Sequence, residues 1–312
     1  MRRVGIIVAA GAAFLLALVL AAAGVGERAG ALSNWQALTL GVVQGFTELL
    51  PISSSGHLIL VPWLGDWTYL ETHGDFNQTF DVALHLGTLV AVVAYFRHDV
   101  VRLVGAWVRT FARRAIETDD ERVAWFVAVA TLPAAVIGAA GEGVISEHLG
   151  EPWQIAIFLA LFAGVLWLAD RGQARREMRD LGLGRALVVG FAQSLALMPG
   201  VSRSGITISM ARLLGLDRDS AARVSFLLLI PIVFGASVLK GLKDVVFGDL
   251  PPGSTGPFVV GVIAAAVSGL VAIEALLGYV RRHDYSAFVL YRVVVAAAVL
   301  LLIAAGVREA TF

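Results

Sequence analysis

Gln44 and Glu48 stand four residues apart, so both project from one face of a helix, and Ser53, Ser54, Ser55 and His57 follow just beyond it. A carboxylate near a hydroxyl and an imidazole is what activation of a nucleophile by a general base requires. Further along, Ser202, Arg203, Ser204, Gly205 and Thr207 set one guanidinium among small residues at the start of a helical stretch. Exposed amides, a positive helix N-terminus and a guanidinium fork together form an anion site, and phosphate is its natural guest. Structural readings stand beside these. A serine here can simply cap a half-helix, and Arg203 can pair with a helix C-terminus or with Glu48 itself.

These groups sit in a chain built for a bilayer. Of 312 residues, 58% are hydrophobic and 15% charged, and the mean hydropathy is +0.81, far from a soluble domain's balance. The 24 basic and 24 acidic residues cancel, so no overall basic field argues for a nucleic-acid partner. With no cysteine, thiol nucleophiles, disulfides and cysteine-ligated metals are excluded, and any chemistry must use oxygen and nitrogen groups.

The apolar pattern predicts ordinary membrane helices at about 80–96, 123–145, 154–169, 224–242, 257–280 and 288–306. A further span, about Val4 to Ala23, follows Arg2 and Arg3 and reads as a retained anchor or a signal-like helix, its length favouring the anchor. Two stretches differ. Residues 35–64 are cut by Pro51-Ile52-Ser53-Ser54-Ser55-Gly56, and residues 186–216 by Pro199-Gly200-Val201-Ser202-Arg203-Ser204-Gly205. Neither half is long enough to span. Non-helical backbone at that depth survives only when buried in protein or lining a wet cavity, so each stretch reads as a re-entrant helical hairpin.

Charge in the loops orients them. Six arginines fall between Arg97 and Arg122 and five between Arg171 and Arg185, and Arg281 and Arg282 close a third basic loop, whereas 65–79, 142–153 and 244–256 hold no lysine or arginine. With both broken stretches counted as hairpins, the basic loops share one side, the cytoplasmic one; Lys240 and Lys243 are exceptions near an outer end. The first hairpin then opens outward and the second inward, and their tips meet near mid-membrane. The two stretches also match at a constant offset that pairs Gly41 with Gly190, Gln44 with Gln193, Ser53 with Ser202, Ser55 with Ser204 and Gly56 with Gly205, while Ser54 falls opposite Arg203. Similar sequence in opposite topology is the mark of inverted repeats that build a site at their interface. The expected fold is therefore an all-α polytopic membrane protein of inverted-topology repeats, each with a re-entrant hairpin, plus full transmembrane helices. Residues 1–30 form the N-terminal anchor or signal-like helix. Residues 31–312 form one membrane domain, with repeat 1 at about 35–170 (hairpin 35–64) and repeat 2 at about 184–306 (hairpin 186–216).

A charge inside a bilayer costs about 2.5 kcal/mol or more, which makes function the default reading of Glu48. Asp81 and His85, four apart in the next span, line the cavity or sit at its outer edge. Glu274, Tyr291 and Arg292 read equally as packing partners or snorkelling groups. The stretch from Arg97 to Arg122 interleaves arginines with Val, Leu, Trp and Phe and reads as an amphipathic helix on the inner leaflet.

The motifs Gly41-Val-Val-Gln-Gly-Phe-Thr-Glu48-Leu-Leu-Pro-Ile-Ser-Ser-Ser-Gly-His57 and Pro199-Gly-Val-Ser-Arg203-Ser-Gly-Ile-Thr207 resemble the undecaprenyl-diphosphate phosphatase family of the bacitracin-resistance type. The first is similar to that family's pattern of glutamate or glutamine, three residues, glutamate; the second is similar to its PGxSRSG signature. Similar stretches run from about Trp35 to Gly306, leaving the first span outside. The resemblance implies hydrolysis of undecaprenyl diphosphate to undecaprenyl phosphate and inorganic phosphate, recycling the cell-wall lipid carrier, with help from a divalent cation, Mg²⁺ or alternatively Ca²⁺. By position it implies catalytic roles for Glu48, Ser54, His57 and Arg203, with Ser54 or His57 as nucleophile. It makes Gln44, Ser53, Ser55, Ser202, Ser204, Gly205 and Thr207 substrate-binding, and Glu48 and Gln44 metal ligands. Gln44 is a neutral amide where many relatives carry a second carboxylate, so a cation would lean more on phosphate oxygens and water. The implied setting is the bacterial inner membrane, with the site facing the periplasmic or extracellular side. The partners are a polyprenyl diphosphate lipid and the bilayer, with no nucleic acid, and a homodimer is left open. Broken-helix repeats are equally a transporter architecture, so a carrier or flippase for a polyprenyl phosphate or other anion is the alternative.

Overall fold

A computed structural model of the chain describes residues 32–67, 74–172, 176–240 and 253–311. The expected N-terminal anchor, 1–30, and parts of the loops at 65–79, 171–185 and 244–256 lie outside them. Among the described residues the fold is all helical, with one isolated bridge between Arg176 and Leu216. Six helices are long and apolar enough to cross a membrane, which makes this a multi-pass membrane protein: α3 (Gly74–Tyr95), α5 (Asp119–His148), α6 (Pro152–Asp170), α9 (Arg218–Lys240), α10 (Thr255–Val280) and α11 (Ser286–Ala304). They coincide with the six spans predicted from hydropathy. The basic stretch after α3 forms helix α4 (Arg97–Arg113), which ends where Arg114 turns into the left-handed region at φ 54°. Its amphipathic pattern was expected to run to Arg122; instead Thr118 caps the next helix, α5, in a box with Glu121.

Each broken stretch is a pair of short helices around a turn. α1 (Asn34–Leu49) starts on a capping box formed by Ser33 and Gln36 and stops before Pro51, which disfavours helical geometry in the residue ahead of it. α2 (Ser54–Gly65) follows. The second pair is α7 (Leu183–Ser194), prolonged by a 3-10 turn over Leu195–Leu197, and α8 (Arg203–Leu213). With 16, 12, 12 and 11 residues at about 1.5 Å each, none reaches the ~30 Å of a hydrocarbon core.

α1 packs along α10, and α7 along α5; α3 touches both α9 and α10, α9 touches α5, and α6 lies against α11. Small residues permit the closest of these approaches. A methyl added at Gly41 would stand 2.7 Å from the Ala264 side chain on α10, and one added at Gly190 would stand 2.6 Å from the Ala130 carbonyl on α5. At its far end α2 is tied to the end of α11: Trp63 Nε1 donates to the Glu309 carbonyl at 3.1 Å, and Arg308 pairs with Asp66 at 2.7 Å. The far end of α8 is tied elsewhere. Arg212 meets buried Asp170 at the end of α6 at 2.9 Å, and the same carboxylate takes Arg218 at 2.8 Å and the Tyr285 amide, just ahead of α11, at 3.0 Å.

Candidate active site

Both turns use one backbone solution. Ser53 and Ser202 sit at φ 78° and 77°, a conformation rare for a residue with a Cβ. Each hydroxyl accepts the amide of the third helical residue, Gly56 at 3.4 Å and Gly205 at 3.0 Å, as an N-cap. Each also lies near the serine two residues on, Ser55 at 3.5 Å and Ser204 at 3.2 Å. This leaves the first helical residue of each pair, Ser54 and Arg203, to face outward from the turn.

The two turns touch. Ser204 Oγ donates to the Leu50 carbonyl at 2.9 Å. Arg292, wholly buried on α11, donates to Pro51 O at 3.3 Å in one turn and to Gly200 O at 3.0 Å and Val201 O at 3.1 Å in the other. Its Nε reaches Leu159 O on α6 at 3.1 Å. An arginine read from sequence as a packing or snorkelling group is thus the staple between the turns.

At this junction Glu48 and Ser54 of the first turn meet Arg203 of the second. Glu48, 5% exposed, receives Arg203 Nε at 3.2 Å and Nη2 at 3.1 Å on Oε1, while Nη1 donates to Ser225 O of α9 at 2.6 Å. Glu48 Oε2 accepts the Ser54 hydroxyl and, at 3.4 Å, the Gln44 amide. His85 also brings Nε2 to within 3.4 Å of that oxygen. Its Nδ1 lies 2.7 Å from the Asp81 carbonyl, which can only accept, so Nδ1 carries a proton and Nε2 is turned to the acid. His85 had only its i, i+4 spacing from Asp81 to mark it. The span's packing against α1 is what carries its ring to Glu48.

His57 is placed differently from Ser54. Its Nδ1 is 2.6 Å from Ser53 O, and its Nε2 is 2.7 Å from the Tyr291 hydroxyl, with the rings stacked at 5.6 Å. With Nδ1 donating to a carbonyl, Nε2 accepts from the phenol, and the imidazole's lone pair is engaged. Of the other residues named from sequence, Ser55 lines the cavity beside Glu48, whereas Ser53, Ser202, Ser204 and Gly205 are engaged in building the turns. Thr207 donates back to Arg203 O at 2.8 Å and lies 2.9 Å from Ser225 Oγ.

The cavity, about 240 Å³, has a polar wall of Glu48, Ser54, Ser55, His85 and Arg203 and an otherwise largely apolar lining from α3, α5, α7 and α9. No three His, Asp or Glu side chains gather as a metal cluster among the described residues. Gln44 turns Nε2 to Glu48 and leaves its buried Oε1 without a hydrogen-bond partner; with the amide turned over, Oε1 and Glu48 would offer a divalent cation two protein oxygens, phosphate and water completing its shell.

The family described as bacitracin resistance protein BacA matches residues 37–298. An undecaprenyl-diphosphatase of Desulforudis audaxviator is 45% identical over 274 residues, covering 87% of this chain and 98% of the relative. Those of Nocardioides sp. and Geobacter sulfurreducens are each 44% identical, covering 88% and 85% of this chain and 98% and 96% of theirs. Across nearly its whole described length, then, the chain belongs to the bacitracin resistance protein BacA family.

Proposed function

We propose that this protein is an integral membrane phosphatase that hydrolyses undecaprenyl diphosphate to undecaprenyl phosphate and inorganic phosphate, the activity named for its relatives. The observation that carries the reading is the single carboxylate of Glu48, which holds a serine hydroxyl on one oxygen and a guanidinium on the other. Ser54 Oγ attacks the terminal phosphorus while its proton passes to Glu48 Oε2, and the bond to the bridging oxygen breaks in line, releasing the lipid monophosphate. Glu48 gives that proton up to the departing lipid monophosphate; water then attacks the phosphoserine, its proton passing to the freed Glu48 carboxylate and from there to Ser54 Oγ as the serine–phosphorus bond breaks and inorganic phosphate leaves. Arg203 holds the equatorial phosphate oxygens, as does the positive start of α8. His57, its lone pair given to Tyr291, positions the turn. Gln44 and Glu48 would hold Mg²⁺, which when bound offsets charge on the phosphates.

The two broken stretches are re-entrant hairpins of an inverted repeat, inserted from opposite leaflets. Three observations support this. α2 ends beside Arg308 and Glu309, just past the end of α11, whereas α8 ends in the Asp170 cluster with the residue ahead of α11, so their bases lie at opposite ends of that span. The turns meet between those ends at Arg292. The packing of α1 on α10 and of α7 on α5 repeats one arrangement at the matched glycines Gly41 and Gly190. With the arginine-rich ends inside, the first hairpin opens to the periplasmic or extracellular side, where the reaction takes place.

The test is phosphate release from a C55 polyprenyl diphosphate by purified protein in detergent, with and without chelator. Release that depends on Glu48 and Arg203 is expected. None from the wild type, or undiminished release by Glu48→Ala and Arg203→Ala, overturns the reading.

A further inference from the structure

The cavity holds polar groups that the reaction has not used. Gln193 on α7 is 2% exposed and lines the cavity, yet neither Nε2 nor Oε1 has a hydrogen-bond partner among the described residues. The buried hydroxyl of Ser237 on α9, in the same lining, is also unpartnered. Folded proteins leave few buried polar side chains unsatisfied, because each such group loses its bonds to water without replacement. Two in one cavity point to a ligand that completes them. The matched residue of the first hairpin makes the contrast plain: Gln44 donates to the Glu48 side chain one turn on, whereas the residue one turn beyond Gln193 is Leu197, whose side chain has nothing to accept with.

Their place in the cavity says which part of a ligand they meet. Gln193 shares its turn with Ala196 and Leu197, and Ser237 shares its turn with Val233, all lining residues, so both lie in the apolar part rather than on the wall of Glu48, Ser54 and Arg203. In an in-line displacement at the terminal phosphorus, the leaving phosphate lies opposite the attacking hydroxyl, on the side from which the hydrocarbon chain departs. We infer that Gln193, with Ser237, forms a neutral donor subsite for the phosphate that stays on the lipid. The inference rests on the phosphatase reading above and extends it. The amide nitrogen and the hydroxyl donate to phosphate oxygens without adding a charge among apolar neighbours. The subsite positions the substrate and selects a diphosphate over a single phosphate; neither residue touches the transferred phosphorus.

The experiment compares purified wild type with Gln193→Met, Gln193→Glu and Ser237→Ala. It reads KM and kcat for a polyprenyl diphosphate, inhibition by the polyprenyl monophosphate and by inorganic phosphate, and thermal melting. Gln193→Met is expected to raise KM about fivefold, the factor one neutral hydrogen bond carries, and to weaken inhibition by the lipid monophosphate by the same factor. Inhibition by inorganic phosphate stays within about twofold, and the melting temperature does not fall, since an orphaned amide has been replaced by a side chain of similar shape. Gln193→Glu, of the same shape but anionic, raises KM further, and Ser237→Ala gives a smaller rise of the same kind. The inference is overturned if KM and lipid-monophosphate inhibition stay within about twofold of wild type in both Gln193 variants. It is equally overturned if inhibition by inorganic phosphate weakens instead, or if Gln193→Glu binds no worse than Gln193→Met, the sign of a cation ligand. Should the wild type release no phosphate, the phosphatase reading fails, and binding of the lipid monophosphate to wild type and variants still tests the subsite.

Discussion

The two turns of the molecule share a backbone and divide the chemistry. Ser53 and Ser202 adopt the same left-handed φ and cap the same third residue. At the next position one turn presents the Ser54 hydroxyl and the other the Arg203 guanidinium, and only the first has an acid, Glu48, where the second has Leu197. The common turn geometry fixes where two side chains meet, and the two matched positions that differ set which groups are brought together. Position comes from what the halves have in common, and reactivity from where they differ.

If that division holds, substitutions at the divergent positions cost rate and substitutions at the shared positions cost stability. The largest expected effect is at Ser54: Ser54→Ala should lower kcat for lipid diphosphate hydrolysis by about 10³-fold or more, as removal of a nucleophile does. Arg203→Lys should lower it by about 10²-fold, because an ammonium cannot reach Glu48 and Ser225 O together. Activity within about tenfold of wild type in either variant would erase the chemical contrast between the turns. Arg292→Met should be felt by both turns at once, lowering stability in detergent by about 3 kcal/mol through the carbonyls it leaves buried and unpaired; a melting curve checks this. Tyr291→Phe should destabilise by about 1 kcal/mol, since only the phenol's bond to His57 Nε2 is removed. The smallest pair sharpens the likeness: Ser53→Ala and Ser202→Ala should each cost about 1 kcal/mol in melting experiments, and by similar amounts. A clear inequality would mean that the shared geometry carries unequal loads.

Much of this is legible in the chain itself. Six hydropathy maxima gave the spans, and proline, glycine and serine clusters marked both turns, because the bilayer forces length and backbone satisfaction into the sequence. The meeting of Glu48 with Arg203 followed from charge asymmetry in the loops and the repeat offset. What escaped depends on distance in the chain. The approach of His85 to Glu48 needs the packing of α3 on α1, and the anchoring of Arg203 on Ser225 uses a backbone carbonyl, which carries no residue signature. Arg292 resembled any snorkelling arginine until its acceptors, drawn from both turns and from α6, were seen. His57 had the right type and spacing for a nucleophile or base, yet its ring is committed to Ser53 and Tyr291, and nothing local records a partner 234 residues away.

The guanidinium of Arg292 also constrains traffic. Because one planar group grips carbonyls from both turns and from α6, the turns cannot part without breaking several charged bonds together in a low-dielectric interior. On the re-entrant reading proposed above, a lipid headgroup crossing between leaflets would therefore meet a lower barrier around the paired turns than between them.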